Sequence, residues 1–469
     1  MAEELAQLAV RQAIRLGARY AEARLEEVSA SGFLLNNGML EGSSFDDYVG
    51  LGIRLLANNT WGFASTNDMR SATVTGIVRR AFDVAQAARR TISTKITDEA
   101  QSKAAYAVKQ KRNLLDVKPA EKIAFIKSAD DSLVRSKVPM AGRFISLHDE
   151  VVKKYYTNSD GSEIHSTIPR IFLFYNFTVK GAAKTQQRHW EYAATKGWEA
   201  VDAWKLEKVF PDEARALAKV LAQGVKVPKK PLTVITGPQV TGIIAHESCG
   251  HPFEADRILG REAAQAGESW ITPAMFGQRL GTEAVTLVDN PAVEGAYGYY
   301  MYDDEGVKAR KKYLVKNGLI TEFYHNRETA SSISTKSNGS ARASDYDKEP
   351  LVRMSNTYFE PGKLSEKELI EETKHGVYFK SFTEWNIDDK RYNNRYVSSE
   401  AYLIENGRIT KPVRNAIFEL TTPKIYSSIK AVGKNFELHP GTCGKGEPMQ
   451  GMPVTMGGGS LQLTNIKLR

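Results

Sequence analysis

The order of hydrophobic and polar positions along the chain alternates between helical and strand patterns, and this order predicts an α+β fold. Apolar residues between Leu5 and Leu16 recur at the spacing of one helix face. The same spacing predicts further helices over residues 77–88, 120–134 and 212–221. Between these helices the chain consists of short apolar segments separated by turn residues, which is typical of strands.

Strand segments are predicted in both halves of the chain. In the first half they lie at residues 20–28, 33–40, 48–63, 144–148, 152–157 and 171–178. Polar turn sequences that favour tight hairpins are Asn37-Gly38, Asn158-Ser159-Asp160-Gly161, Asn317-Gly318 and Asn406-Gly407. The aromatic run Tyr299-Tyr300-Met301-Tyr302 is interpreted as one more strand, packed in the core.

A division into three parts follows from this pattern, because a chain of 469 residues exceeds the size at which a single hydrophobic core stops growing. We predict an N-terminal α+β module over residues 1–92, a second α+β module over 118–225 and a C-terminal domain over 231–469. The polar stretch from 91 to about 117 is interpreted as a linker or exposed segment. The C-terminal domain is expected to be mainly antiparallel β and to carry a metal-binding helix.

Composition and charge exclude several classes of protein. The formal net charge is +9, but lysines and arginines are spread along the sequence, so a nucleic-acid interface is not expected. The 2 cysteines cannot form a disulfide framework, which favours a reducing compartment. The first helix is amphipathic rather than a leader peptide, and no segment approaches the about 18 consecutive apolar residues of a membrane span. A cytoplasmic location away from membranes is therefore predicted.

The run His246-Glu247-Ser248-Cys249-Gly250-His251 is the strongest chemical signal. It follows a strand predicted over 232–236 and lies on a helix predicted to begin at Pro238. A spacing of four places two histidines on one helix face, whereas the spacing of five found here separates them by roughly 140° on a regular helix. Gly250 and Pro252 favour a departure from regular geometry. The helix is therefore expected to widen by a π-type bulge or to end there, so that both imidazoles can bind one metal ion.

A catalytic metal site needs more than these two histidines. Glu247 lies beside the first of them, where a carboxylate can accept the proton of a metal-activated water that attacks a carbonyl. Catalytic zinc usually has three protein ligands and one open position. The candidates for the third ligand are Cys249, Glu254, Asp256, His325, His439 and Cys443.

Among these candidates, Cys443 stands out because it lies in a glycine-rich turn, where the nearby Lys445 would favour the thiolate. Cys249 lies three residues after His246 and would face roughly the same side of the helix, so on geometry it competes with Cys443 as the third ligand. Glu254 and Asp256 fit better as acceptors of hydrogen bonds from the histidine N–H groups. The spacing leaves the choice open.

These residues resemble the TldD/PmbA family of metallopeptidases, on the catalytic TldD side, over nearly the whole chain. The family signature His-Glu-x-x-Gly-His-x-x-Glu-Ala-Asp is matched from His246 to Asp256. Further family elements are matched at Asp303-Asp304-Glu305-Gly306-Val307, Arg353-Met354-Ser355-Asn356, Glu405-Asn406-Gly407 and Cys443-Gly444-Lys445-Gly446. The sequence departs from the family after Cys443, where Glu447-Pro448-Met449-Gln450 replaces the usual Gly-Gln continuation.

The resemblance implies a zinc peptidase with one divalent ion per active subunit. By that resemblance the ion is bound by His246, His251 and Cys443. Glu247 is then the catalytic carboxylate, acting as general base. The implied substrates are small or unfolded peptides. The implied assembly is a homodimer or a heterodimer with a TldE/PmbA-type subunit, which encloses the active site.

Arg342 and Arg353 are candidates for binding a peptide carboxylate or the oxyanion. Two other interpretations stay open. In the first, Cys443 or Cys249 is the nucleophile of a cysteine hydrolase that needs no metal. In the second, the chain is a non-catalytic peptide-binding subunit of a heteromeric protease.

Overall fold

The computed structural model describes residues 2–88, 93–262 and 267–469. The helices of the N-terminal half are α1 (Ala2–Arg15), α2 (Ser71–Ala87), α3 (Pro119–Arg135), α4 (Val201–Trp204) and α5 (Leu206–Gln223). Its strands are β1 (Tyr20–Asn36), β2 (Met39–Ala57), β3 (Thr60–Thr66), β4 (Lys103–Ala107), β5 (Met140–Asn158), β6 (Glu163–Lys180) and β7 (Thr185–Ala194). The helices predicted in this half are confirmed, although α5 begins before its predicted start.

The N-terminal strands all belong to one sheet, in the order β3-β2-β1-β5-β6-β4, with β7 also paired to β6. The antiparallel pairing of β1 with β5 sets Val28 opposite Val152 and joins the two predicted modules into one layer. Helices α1 and α2 contact the β1–β3 end, whereas α3 and α5 contact β5 and β7 respectively. The hairpin at Asn37-Gly38 is confirmed, and both of its residues have the positive φ that a tight turn requires.

Strand continuity is where the prediction for this half was wrong. Residues 144–148 and 152–157 belong to one strand, β5, and residues 20–36 form β1 without a break. Small polar residues such as Ser29 interrupt the apolar pattern but still pair, because the bonds of a sheet come from the backbone. The predicted linker contains β4, which pairs in parallel with β6. The boundary predicted at residues 91–92 lies outside the described residues.

The helices of the C-terminal half are short: α6 (Pro238–Ala245), α7 (Ala255–Ile258), α8 (Arg327–Ser332), α9 (Glu366–Glu371) and α10 (Thr422–Ser428). Its strands are β8 (Pro231–Thr236), β9 (Leu287–Asp289), β10 (Lys312–Lys316), β11 (Leu319–Ile320), β12 (Ala341–Arg342), β13 (Leu351–Val352), β14 (Asn356–Phe359), β15 (His375–Ile387), β16 (Asn393–Glu405), β17 (Arg408–Val413), β18 (Ile417–Thr421), β19 (Ile429–Val432), β20 (Glu437–Lys445), β21 (Gln450–Gly458) and β22 (Leu461–Lys467). No helix in the described parts of the chain is both long and apolar enough to cross a bilayer.

Two larger sheets organise the C-terminal half. One has the order β11-β10-β9-β14-β21-β20, and the other has the order β17-β16-β15-β8-β22-β19 with β18 on β16. Most pairs are antiparallel, as predicted, while β14–β21 and β8–β15 are parallel. Helix α6 contacts β20 and β21 of the first sheet and β15 of the second, and it is buried at every residue except Gln239. The helix that begins the metal-binding motif is therefore enclosed between the sheets.

The aromatic run at residues 299–302 is not a strand, so that prediction was wrong. Gly295 has a φ of +76°, and the Tyr300 N–H donates to Pro291 O, which folds this segment into successive turns. Tyr300 is nevertheless buried, and its hydroxyl donates to Gly339 O at 2.7 Å.

Candidate metal centre

The helix that carries the histidines changes its winding at the first of them. After α6, a π turn spans His246–Gly250 and a 3₁₀ turn spans His251–Phe253. The His251 N–H donates to His246 O, an i→i+5 hydrogen bond. The two imidazole rings consequently lie together, with centroids 4.8 Å apart and planes at 83°. The prediction that the helix widens or ends here is confirmed.

Gly250 contributes space rather than unusual backbone geometry. Its φ of −49° and ψ of −65° lie in the right-handed helical region. A Cβ at this position would lie 1.9 Å from Met354 Sδ, so Met354 occupies the place of a side chain. The π turn therefore packs directly against the segment that follows β13.

Cys443 reaches the histidines from β20, far along the chain. Its Sγ lies 3.4 Å from His251 Nε2, and one possible ligand atom from each of His246, His251 and Cys443 lies within 4.8 Å of the other two. Ligands held at about 2.0–2.3 Å from one zinc ion lie roughly 3.3–3.8 Å apart in a tetrahedral site. The distance between Cys443 and His251 lies in this range, and the 4.8 Å limit on all three atoms is wider than it. All three residues are buried, and His246 Nδ1 has no hydrogen-bond partner among the described residues. A bound ion or its water would satisfy that nitrogen.

Positive charge around Cys443 favours its thiolate. Burial raises the pKa of the Cys443 thiol, but the charges of His251, Arg353 and His246 outweigh burial and hold that pKa well below its ordinary value. Arg353 is close because its guanidinium donates to Cys443 O. Lys445, which was expected to supply this charge, is directed at carboxylates instead.

Those carboxylates orient the second histidine. His251 Nδ1 lies 3.1 Å from Glu254 Oε2, which also accepts a hydrogen bond from Arg257 Nε at 2.6 Å. The fully buried Lys445 ammonium lies 3.3 Å from Glu254 and 2.8 Å from Asp256. Burial raises the pKa of the Glu254 carboxyl, but these cations outweigh burial and hold that pKa well below its ordinary value. An ionised Glu254 thus fixes the imidazole ring and leaves Nε2 for the cluster.

Glu247 faces the hairpin between β15 and β16. Its Oε1 accepts a hydrogen bond from Trp385 Nε1 at 3.2 Å, and its Oε2 accepts one from Arg391 Nη1 at 3.1 Å. Arg391 has a φ of +63°, a left-handed conformation in the turn of this hairpin. Sequence reasoning missed both partners. The polar sequence Asp388-Asp389-Lys390-Arg391 signals a turn, but it does not indicate what the turn covers.

A cavity of about 250 Å³ opens beside Glu247 and the cluster. Its other lining residues include Trp190, Glu191 and Phe382. Burial raises the pKa of Glu191 to about 7. This open side of the centre therefore carries less fixed charge than the side that holds Glu254.

The other candidate ligands lie elsewhere. Cys249 is fully buried outside the cluster, and burial raises the pKa of its thiol well above the ordinary value. His325 contacts Thr329 through Nδ1, and burial lowers the pKa of His325 to about 4. His439 packs edge-on against Trp190, with ring centroids 5.5 Å apart.

Neither candidate arginine lines the cavity beside the cluster. Arg353 is fully buried and donates to the backbone carbonyls of Cys443 and Gln450. Arg342 lines a separate cavity. A role of either arginine in substrate binding stays a prediction.

The fold and the cluster together define a class of protein. Mixed C-terminal sheets bring two imidazoles and a thiolate into one buried cluster, with a carboxylate beside them. This donor set fits zinc and other transition-metal ions, and it lies within an α+β fold.

Comparison with known proteins specifies the class further. Family models described as PmbA/TldA metallopeptidase domain 1, central domain and C-terminal domain match residues 21–85, 112–223 and 229–469. The chain belongs to this PmbA/TldD family of metallopeptidases, so the resemblance noted in the motifs is confirmed.

Individual relatives agree with this assignment. A metalloprotease of Methanocaldococcus jannaschii is 31% identical over 458 residues, which cover 94% of this chain and 95% of the relative. The zinc metalloprotease TldD homolog of Saccharolobus solfataricus is 26% identical, with 98% of each chain covered. The crystal structure of TldE from Thermococcus kodakarensis is similar at a TM-score of 0.75 and 16% identity, covering 99% of both chains. This last likeness shows the fold.

Proposed function

We propose that this chain is a zinc-dependent peptidase that hydrolyses small or unfolded peptides. The observation that carries the proposal is the clustering of buried His246, His251 and Cys443 beside Glu247. Two imidazoles and a thiolate suit zinc, and three protein ligands leave one position open. The metalloprotease names of the relatives support the same chemistry. The proposed stoichiometry is one ion per active subunit.

Glu247 is the proposed general base. When bound, zinc supplies Lewis-acid polarisation and a water of lowered pKa. Glu247 accepts a proton from the attacking water and passes it to the amine of the leaving fragment. Trp385 and Arg391 each hold one carboxylate oxygen, so the direction of the carboxylate is set before a peptide binds.

The shape of the site supports an extended peptide as substrate. β20 carries Cys443 and is the edge strand of its sheet. An extended peptide can pair with such an edge and present its amide to the centre. A cavity of about 250 Å³ admits a peptide segment but not a folded domain. A second subunit, either another copy or a TldE/PmbA-type chain, is proposed to enclose this side.

One observation favours a second candidate function, a metal-independent cysteine hydrolase. Cys443 Sγ lies 3.4 Å from His251 Nε2, which is close to the geometry of a nucleophile and its base. That function gives His246 and Glu247 no role, whereas the zinc peptidase uses all four residues. Cys249 is the weaker nucleophile, because burial favours its protonated form.

Metal analysis combined with peptide hydrolysis tests the proposal. Wild type, Glu247→Gln and Cys443→Ser are compared, with Cys249→Ala as the control that removes the thiol outside the cluster. We expect about one zinc per chain in wild type and Glu247→Gln, with hydrolysis about 10²- to 10⁴-fold slower in the latter. Cys443→Ser should lose zinc.

Two results would contradict the zinc peptidase. Hydrolysis that survives chelation of the metal would establish the cysteine hydrolase. Undiminished turnover by an assembly that contains Glu247→Gln would show that this chain is the non-catalytic, peptide-binding subunit.

A further inference from the structure

A second cavity lies beside the candidate metal centre, between the N-terminal sheet and the C-terminal half. Its volume is about 210 Å³. Strands β5 and β6 form one wall, which includes Arg170, and the opposite wall includes Tyr300 and Arg342. Thr442 lines both this cavity and the one that contains the cluster.

The ladder between β20 and β21 connects the two cavities. Cys443 pairs with Met452, and Thr442 pairs with Pro453. Both Met452 and Pro453 line the second cavity. The second cavity therefore begins one rung away from the cluster.

Arg342 is a buried cation that lacks an acidic partner. It is 3% exposed, and its hydrogen bond is from Nη1 to Met354 O at 2.6 Å. The guanidinium lies 5.0 Å from the centre of the Tyr300 ring, and no carboxylate of the described residues forms an ion pair with it. Burial lowers the pKa of Arg342 to about 10; the charges of Arg170 and Arg353 act in the same direction, whereas those of Tyr300 and Asp304 act in the opposite direction. A buried charge is costly unless it is paired, so an anion beside Arg342 would be stabilised.

Arg170 also lines the cavity, where it is paired with Glu150. Its Nη1 donates to Glu150 at 3.0 Å, but its Nε is buried and has no partner among the described residues. Lys154, another cation on this cavity, is already paired with Glu26 and Asp304. Four carboxylates also line this cavity, and each is already engaged: Glu26 and Asp304 with Lys154, Glu150 with Arg170, and Asp303 with backbone N–H groups. The guanidinium of Arg342 is the cation on this cavity that forms no ion pair among the described residues.

We propose that this cavity binds a carboxylate of the peptide substrate, through Arg342 and Arg170, on the leaving-group side of the bond that is cut. The planar fork of a guanidinium matches the two oxygens of a carboxylate. This inference rests on the proposed peptidase function.

The chemistry of hydrolysis identifies the fragment. Water adds across the C–N bond, so that its oxygen joins the carbonyl carbon in a new carboxylate while the nitrogen of the leaving fragment takes up a proton. The leaving fragment keeps the original C-terminal carboxylate. An enzyme that binds this group one rung from the cluster removes a short C-terminal fragment, and the position of the cut is counted from the C-terminus.

Wild-type enzyme and three matched peptides test the inference: a free acid, the same peptide as C-terminal amide, and an amide that ends in glutamate. We expect kcat/KM for the acid to exceed that for the plain amide by about tenfold or more. When residues are added at the N-terminus of the peptide, mass spectrometry should identify the same released fragment. If kcat/KM for the glutamyl amide equals kcat/KM for the free acid, the cavity binds a carboxylate, and that carboxylate comes from a side chain. Equal kcat/KM for all three peptides would overturn the inference.

Enzyme variants test which residues cause the preference for the free-acid peptide. Arg342→Met should bring the acid-to-amide ratio to about one, and Arg342→Lys, which keeps the charge without the fork, should keep part of the preference. Arg215→Met, which changes an exposed arginine on α5, is the control that should keep the wild-type ratio. Thermal unfolding verifies that each variant is folded. If Arg342→Met does not fold, the inference is tested on the wild-type enzyme, by its acid-to-amide ratio of kcat/KM and by the constant position of the cut.

Glu247→Gln separates this inference from the proposed function. If hydrolysis depends on Glu247 while kcat/KM is equal for the acid and the amide, that result contradicts the carboxylate site and leaves the peptidase function standing. Hydrolysis that is absent or independent of Glu247 contradicts the peptidase function. Equilibrium binding of the acid and amide peptides to wild type then decides whether the cavity binds a carboxylate.

Discussion

Two carboxylates near the candidate metal centre occupy opposite electrostatic environments. Glu254 contacts Lys445, Arg257 and His251, and these cations hold its pKa well below the ordinary value despite burial. Glu191 lines the cavity on the open side, where burial raises its pKa to about 7 and no cation of the described residues forms an ion pair with it.

This difference in charge separates the side that holds the metal ligands from the side that accepts the peptide. On the ligand side, fixed charges hold the imidazole in place before any ion or peptide arrives, and their removal should affect stability and metal affinity. On the open side the fixed charge is the Glu247–Arg391 ion pair, and the rest of the lining suits the neutral backbone of an extended peptide. Changes there should affect turnover and pH dependence more than folding.

Removal of the Lys445 ammonium is expected to have the largest effect. Lys445→Met leaves Glu254 and Asp256 buried without their shared cation, and we expect the free energy of unfolding to fall by about 3–5 kcal/mol. Urea unfolding measures the change. Lys430→Met, at an exposed position, is the control. A loss below about 1 kcal/mol would show that this network is not what stabilises the ligand side.

Neutralising Glu254 should weaken metal binding. Glu254→Gln removes the carboxylate that orients His251, and we expect the affinity for zinc to fall about 10- to 100-fold. Competition with a chromogenic chelator measures the affinity. Glu372→Gln, on the surface, should bind zinc like wild type. Unchanged affinity in Glu254→Gln would contradict the assigned role of Glu254.

The open side predicts a pH dependence. The pKa of Glu191 is about 7 in the folded protein and 4.5 without burial, so the folded state binds this proton more tightly. The resulting stabilisation is complete below pH 4.5 and is lost as the pH rises through about 7. Between about pH 5 and 8 wild type should lose roughly 2 kcal/mol more than Glu191→Gln. Urea unfolding at both pH values measures this difference, and parallel profiles would contradict the burial of this carboxyl.

The smallest effect on stability is expected at the hairpin. Arg391→Gln breaks a largely buried ion pair, but Glu247 keeps its hydrogen bond from Trp385, so the free energy of unfolding should fall by about 1–2 kcal/mol. Turnover should fall, by about tenfold in kcat, because Glu247 loses one of its two anchors. Zinc content should stay at the wild-type level. Arg395→Gln, in the same hairpin but paired with Glu384, is the matched control. Loss of zinc in Arg391→Gln would assign Arg391 to the ligand side.

The parts of the fold and site that the sequence predicted are those set by local geometry. The five-residue spacing and Pro252 were sufficient to predict the change of winding between His246 and His251, because helical periodicity is a property of the segment itself. The turn at Asn37-Gly38 was predicted for the same reason. Gly250 was expected to supply unusual backbone geometry, but its backbone is helical. The strand β1 was divided in two because side-chain pattern, rather than backbone pairing, was the signal.

The remaining parts depend on tertiary contacts between distant segments. Lys445 lies two residues after Cys443 in sequence, yet its ammonium is directed at Asp256, and only the packing of β20 against the π turn determines that direction. Arg391 and Trp385 have no motif, and they reach Glu247 only because β15 and β16 pair. Contacts between charged residues that are far apart in sequence leave no recurring pattern in the amino-acid sequence.

Cys443 and His251 are 192 residues apart along the chain, and the contact between them forms only when β20 and β21 have joined the sheet beside α6. Ion occupancy is therefore coupled to the folding equilibrium of the C-terminal half. An ion that binds only the folded form stabilises it by mass action, and any opening that detaches β20 releases the ion. The rate at which a chelator extracts zinc would then report how often this part of the molecule opens.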